Sequence, residues 1–156
     1  MNFNPNAVRY YEMAQQEGFS HDIMTVFYAR CLGAMGDIEQ AITIYNEIYG
    51  CNLTDDSSEK QVPQNKYYDI ARTDIAKIYL DNQQPEKALD WYLDAVEKHE
   101  NYPTALGGCS LAYLILEDFE KSEKYYKYAV LSGIEDLDGF KAYYKELKDA
   151  ISVNKG

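Results

Sequence analysis

The chain has 156 residues, 46% of them hydrophobic, enough for one domain with a sizeable buried core and too apolar for a disordered chain. Its net charge of −11 excludes the basic face that phosphate-driven nucleic-acid binding needs, and it favours encounter with basic partners. No apolar run approaches a membrane span, the first residues carry neither a basic nor an apolar signal segment, and Cys31, Cys51 and Cys109 form no CxxC. A reducing cytoplasm therefore suits the chain better than a disulfide frame or a zinc site.

Residues 5–17 read as a helix, with Pro5 suited to a first turn, Gly18 to a C-terminal stop, and Ala7, Tyr11 and Ala14 on one face. A helix pair is expected over 21–50. Ile23, Val26, Phe27, Arg30 and Ala34 mark its first helix, which ends near Met35 and Gly36. Asp37 can cap the second, which carries Ala41, Ile44, Tyr45 and Ile48. Residues 51–65 are rich in Asn, Asp, Ser and Gln, contain Pro63, and read as an inserted surface loop. Asn52-Leu53-Thr54 within it matches a glycosylation acceptor that would stay unused in the cytoplasm. A second pair is expected over 66–99, with Pro85 in the first turn of its second helix, and a third over 103–132. The stretch 136–151 reads as a last, single helix, its lysines Lys141, Lys145 and Lys148 marking a solvated face. The charge is uneven along this order, −6 over residues 1–65 and −5 over the longer remainder.

The elements repeat. Ala76, Tyr79, Ala88, Tyr92 and Ala95 recur 34 residues later as Ser110, Tyr113, Ser122, Tyr126 and Ala129, small on small and tyrosine on tyrosine. Ala7 and Tyr11 relate to Ala41 and Tyr45 by the same step, as do Leu106, Cys109, Ser110 and Tyr113 to Phe140, Tyr143, Tyr144 and Leu147. The one break is between Tyr45 and Tyr92, 47 residues apart, and the inserted loop absorbs the excess. A 34-residue small-and-aromatic period is the mark of a helix-turn-helix repeat. The chain resembles the tetratricopeptide repeat family, whose pattern runs Trp-x2-Leu-Gly-x2-Tyr, then Ala-x3-Phe, then Pro. Ile75, Ala76 and Tyr79 follow the first part and Ala88-x3-Tyr92 the second. Arg72 and Thr25 replace the Trp, Tyr28, Ala29 and Leu32 stand for Leu, Gly and Tyr, and Pro103 arrives three residues late. The resemblance implies an all-α fold, an α-solenoid of about eight helices in antiparallel pairs, with half repeats capping both ends.

No catalytic, metal or cofactor site is expected. His21 and His99 lie three or four residues from no other histidine or cysteine, and Cys31 with either histidine would need an orienting third group and an exposed thiol. Cys31 and Cys109 read as small core hydrophobes. Gly107-Gly108 sits in no phosphate-loop pattern, which leaves close helix packing or room for a ligand backbone. Asp55-Asp56 and Glu117-Asp118 fall in turns, where capping explains them.

In the family, first helices line a concave groove. Carried over by register, that implies Ile23, Val26, Phe27 and Arg30, then Ile70, Thr73, Asp74, Lys77 and Leu80, then Thr104, Gly107, Gly108, Leu111 and Leu114, with Lys141 and Lys145 from the last helix. One branch of the family clamps the C-terminal carboxylate of heat-shock chaperones with Lys, Asn and Arg. Here Val26, Arg30, Asp74, Thr104 and Gly108 take those places, and an acid and a glycine cannot hold a carboxylate. The expectation is therefore a non-catalytic, acidic, cytoplasmic adaptor or chaperone-like protein. It would hold a protein or peptide client, basic with an apolar segment, such as a secreted effector or toxin, and neither nucleic acid nor membrane. The alternative is an assembly or scaffold subunit that self-associates or docks in a larger complex.

Overall fold

Three turns in the chain are built alike. After Ala34, Asp81 and Ile115 the backbone takes one residue into the left-handed region, Gly36 at φ 91°, Gln83 at 58° and Glu117 at 61°. The next N–H then reaches back five residues: Asp37 to the carbonyl of Leu32 at 2.9 Å, Gln84 to Tyr79 at 2.9 Å, and Asp118 to Tyr113 at 3.0 Å. This is the Schellman closure, which satisfies carbonyls that a helix end leaves open and turns the chain sharply.

The computed structural model describes residues 5–18, 22–49 and 66–153, and among these the fold is all-helical, with eight helices and no strand. They are α1 (Pro5–Gln16), α2 (Asp22–Ala34), α3 (Ile38–Tyr49), α4 (Lys66–Asp81), α5 (Pro85–Lys98), α6 (Pro103–Ile115), α7 (Phe119–Ser132) and α8 (Leu137–Val153). The expected loop over 51–65 and His21 lie outside the described residues. The helix starts follow local chemistry. Pro85 and Pro103 occupy first turns, where a missing N–H costs nothing, and Asp118 caps α7 by accepting the Lys121 N–H at 3.2 Å. Asp37 approaches the Gln40 N–H at the start of α3 more loosely, at 3.4 Å.

The chain divides into two compact units, Met1–Ala71 and Arg72–Gly156. In the first, α2 packs on α3 through buried Val26, Ala29, Leu32, Ala41 and Tyr45. Helix α1 leans on α2 through Tyr11, whose ring stacks on Tyr28 at 4.2 Å and whose hydroxyl meets Thr25 Oγ1 at 2.8 Å. Tyr11 is buried and Ala14 half-buried, whereas Ala7 is exposed.

In the second unit α6 is the central helix, buried at eight of its positions and in contact with α5, α7 and α8. Its sequence, Pro-Thr-Ala-Leu-Gly-Gly-Cys-Ser-Leu-Ala-Tyr-Leu-Ile, is apolar nearly all round, as a helix enclosed by others must be. Ala88 and Ser122 are wholly buried, as is Ala41 in the first unit. A polar chain runs through the core. Ser110 Oγ donates to the Gly107 carbonyl at 2.6 Å and Ser122 Oγ to the Ser110 carbonyl at 2.8 Å. With its one proton committed, Ser122 accepts from Tyr144 Oη, also at 2.8 Å. That bond ties α8 to α7, with the Tyr126 ring lying against Tyr144 at 4.3 Å and Phe140 at 5.6 Å.

Candidate functional site

Two adjacent glycines in the central helix set the geometry of the site. A Cβ on Gly108 would collide with the ring of Tyr92, and one on Gly107 would lie 3.3 Å from the Phe140 ring. Close packing therefore accounts for both glycines. Without side chains there, Tyr92 from α5 and Phe140 from α8 come down onto the α6 backbone. Beside them a cavity of about 510 Å³ opens within the second unit. Leu80, Leu111, Ile134 and Phe140 give it apolar walls, and Tyr143 stands at its edge. Lys77, Asp81, Glu135 and Asp136 bring three carboxylates against one ammonium.

The charges differ in what already holds them. Lys77 Nζ donates to Asp81 Oδ2 one turn along α4, an exposed pair worth little to stability. Asp136 Oδ1 accepts the Gly139 N–H at 3.0 Å and so starts α8. Glu135 is exposed and makes no ion pair or hydrogen bond among the described residues. Burial pushes the Tyr92 phenol far above its ordinary value, so it stays protonated at every physiological pH.

Of the residues assigned to a groove by register, the cavity gathers Lys77, Leu80, Thr104, Gly107, Gly108 and Leu111. Thr73 at 3% and Leu114 at 0% exposure lie in the interior. Asp74 and Ile70 are half-buried and do not line the cavity, and Lys141 and Lys145 are exposed away from it. In the first unit Val26 is 2% exposed, so it serves the α2–α3 core. Phe27 is 46% exposed, with the Arg30 guanidinium 5.3 Å from its ring centre. The Ile23 side chain is outside the described residues.

Sequence reasoning did not find Tyr92, Ile134, Glu135, Asp136, Phe140 or Tyr143 at this place. The signal was the pair of glycines: side chains facing two missing Cβ atoms must be large. These are Phe140 of α8 at Gly107 and Tyr92 of α5 at Gly108. On the last helix Phe140 and Tyr143, at the positions equivalent to Leu106 and Cys109, line the cavity rather than the lysines.

The described residues contain no grouping of three or more His, Cys, Asp or Glu that could hold a metal ion, and no helix long and apolar enough to cross a membrane. Cys31 and Cys109 are free thiols, the first half-buried and the second enclosed. No family model matches the chain, and no curated protein or solved structure is significantly similar to it.

Proposed function

We propose that this chain is a tetratricopeptide-like α-solenoid serving as a non-catalytic protein-binding module, a cytoplasmic adaptor or chaperone-like holder of a protein client. The repeat reading is supported by the three Schellman turns, whose left-handed residues Gln83 and Glu117 fall 34 apart, the period of the small-and-tyrosine pattern. The observation that carries the binding reading is the cavity beside Gly107 and Gly108, apolar in its walls and bordered by acids. Concave, mostly apolar sites with a few placed charges are where proteins take ligands, and apolar walls suit an apolar segment of a client.

The test is occupancy by a side chain of the protein's own. Leu111 is half-buried and faces the cavity, so Leu111→Trp fills it without touching the Ser122–Tyr144 contact. Affinity capture from the native host, with the wild-type chain and this variant side by side, should lose the client with Leu111→Trp while helical content is unchanged. Equal capture by both would move the client to another surface.

A second reading, an assembly subunit, is favoured by one feature of the same unit. Val96, Leu106, Tyr125, Tyr128 and Leu131 surround a hollow of about 550 Å³, with Leu131 83% exposed and Tyr128 48%. If this face joins copies of the chain, Leu131→Glu should convert an oligomer to a monomer in sedimentation equilibrium.

A further inference from the structure

The cavity pairs two demands that few side chains meet together. Its walls need apolar contact, and its border presents Asp81, Glu135 and Asp136 against Lys77 alone. A purely apolar occupant would leave the carboxylates desolvated beside it, a cost that rises as water is excluded. An anionic occupant would meet like charge. A small hydrated cation would leave Leu80, Leu111 and Phe140 wet. A long aliphatic stem ending in a cation satisfies both sides, because Lys and Arg bury their methylenes along apolar surface and keep the charge at the rim.

Two details say where such a head group would sit. Glu135 is the one rim carboxylate with neither an ion pair nor a hydrogen bond among the described residues. Tyr143 is 56% exposed and pairs with no other ring or cation among those residues, so its face is open to a cation. Resting on the protein-binding reading above, we infer that the client anchors itself here with a lysine or arginine flanked by apolar residues, its stem between Leu111 and Phe140 and its charge between Glu135 and Tyr143. The basic client that net charge suggests in general becomes one basic side chain at one place.

The experiment uses the full chain, isotope-labelled for amide NMR, and three blocked pentapeptides, Ala-Leu-Xaa-Leu-Ala, with Xaa lysine, norleucine or glutamate. The lysine peptide should shift the amides of Gly107, Gly108 and Glu135, binding at least about tenfold more tightly than the norleucine peptide, with the glutamate peptide weaker still. Glu135→Gln should reduce the lysine peptide's affinity by roughly fivefold and leave the norleucine peptide unchanged. Glu135 is exposed, so the variant keeps the fold. Equal binding of the lysine and norleucine peptides at these amides overturns the cationic anchor and leaves the client site standing. Silence of the cavity amides toward all three peptides overturns the anchor as well. In that case the Leu111→Trp capture experiment decides separately whether a client binds there at all.

Discussion

Arg72 is a wholly buried cation, its Nε donating to Asp94 Oδ2 across α4 and α5 at 3.1 Å, while the Asp94 side chain keeps 12% of its exposure. That difference makes the pair asymmetric. Removing the acid takes one partner from a charge that cannot reach water, whereas removing the arginine leaves an acid that can still find solvent. Asp94→Ala should therefore cost roughly 3–5 kcal/mol in urea unfolding and Arg72→Leu distinctly less. The opposite order would mean that the guanidinium is held chiefly by its other contacts. Cys109 is a second enclosed group, its thiol pushed by burial from 9.0 up to about 12. Below pH 9 both folded and unfolded chains keep the proton. Above it the unfolded chain ionises first, so this thiol lowers stability as pH rises from about 9 towards 12. Comparing urea midpoints at pH 8 and pH 10 should show a smaller fall in Cys109→Ala than in the wild type.

Among the elements, the turns and the last helix carry the clearest consequences. Gln83 is exposed and sits at φ 58°, where an L side chain crowds the following carbonyl at a cost of roughly 1–2 kcal/mol. Gln83→Gly should raise the melting temperature, and an unchanged or lower value would mean that the glutamine is otherwise engaged. Helix α8 hangs on Tyr144. Tyr144→Phe removes the proton that Ser122 accepts inside the core, which should cost about 1–3 kcal/mol and lead α8 to lose hydrogen-exchange protection before α6 and α7. The helices themselves were legible in the sequence because Ala41, Ala88 and Ser122 are positions of no exposure, where volume is restricted and the pattern must repeat. Arg72 was not legible. A charged residue reads as surface until its partner is known, and Asp94 lies 22 positions away. The cavity was half legible: register reached its α4 and α6 walls, but Phe140 comes to it because Gly107 lets α8 approach and Tyr92 because Gly108 admits its ring from α5, which depends on tertiary fit rather than spacing.

At the scale of the whole molecule, a net charge of −11 sets a field that the proposed basic client would meet long before contact. Raising ionic strength from 0.01 to 0.15 M shortens the Debye length from about 30 Å to about 8 Å, which removes most of that long-range attraction. A cation lodged between Glu135 and Tyr143 would be within a few ångströms of its partner, a range that salt screens much less. The two contributions should therefore separate kinetically. Salt should slow association by roughly tenfold and change dissociation by less than about twofold, since steering acts on encounter. Glu135→Gln should do the reverse, speeding dissociation while leaving association close to the wild-type rate, because one carboxylate is a small part of the total charge but most of the local contact. Stopped-flow binding of the lysine pentapeptide, and of the captured client, reads both rates. If salt and Glu135→Gln act on the same rate constant, the border acids only add to the general field and the cavity has no cationic subsite.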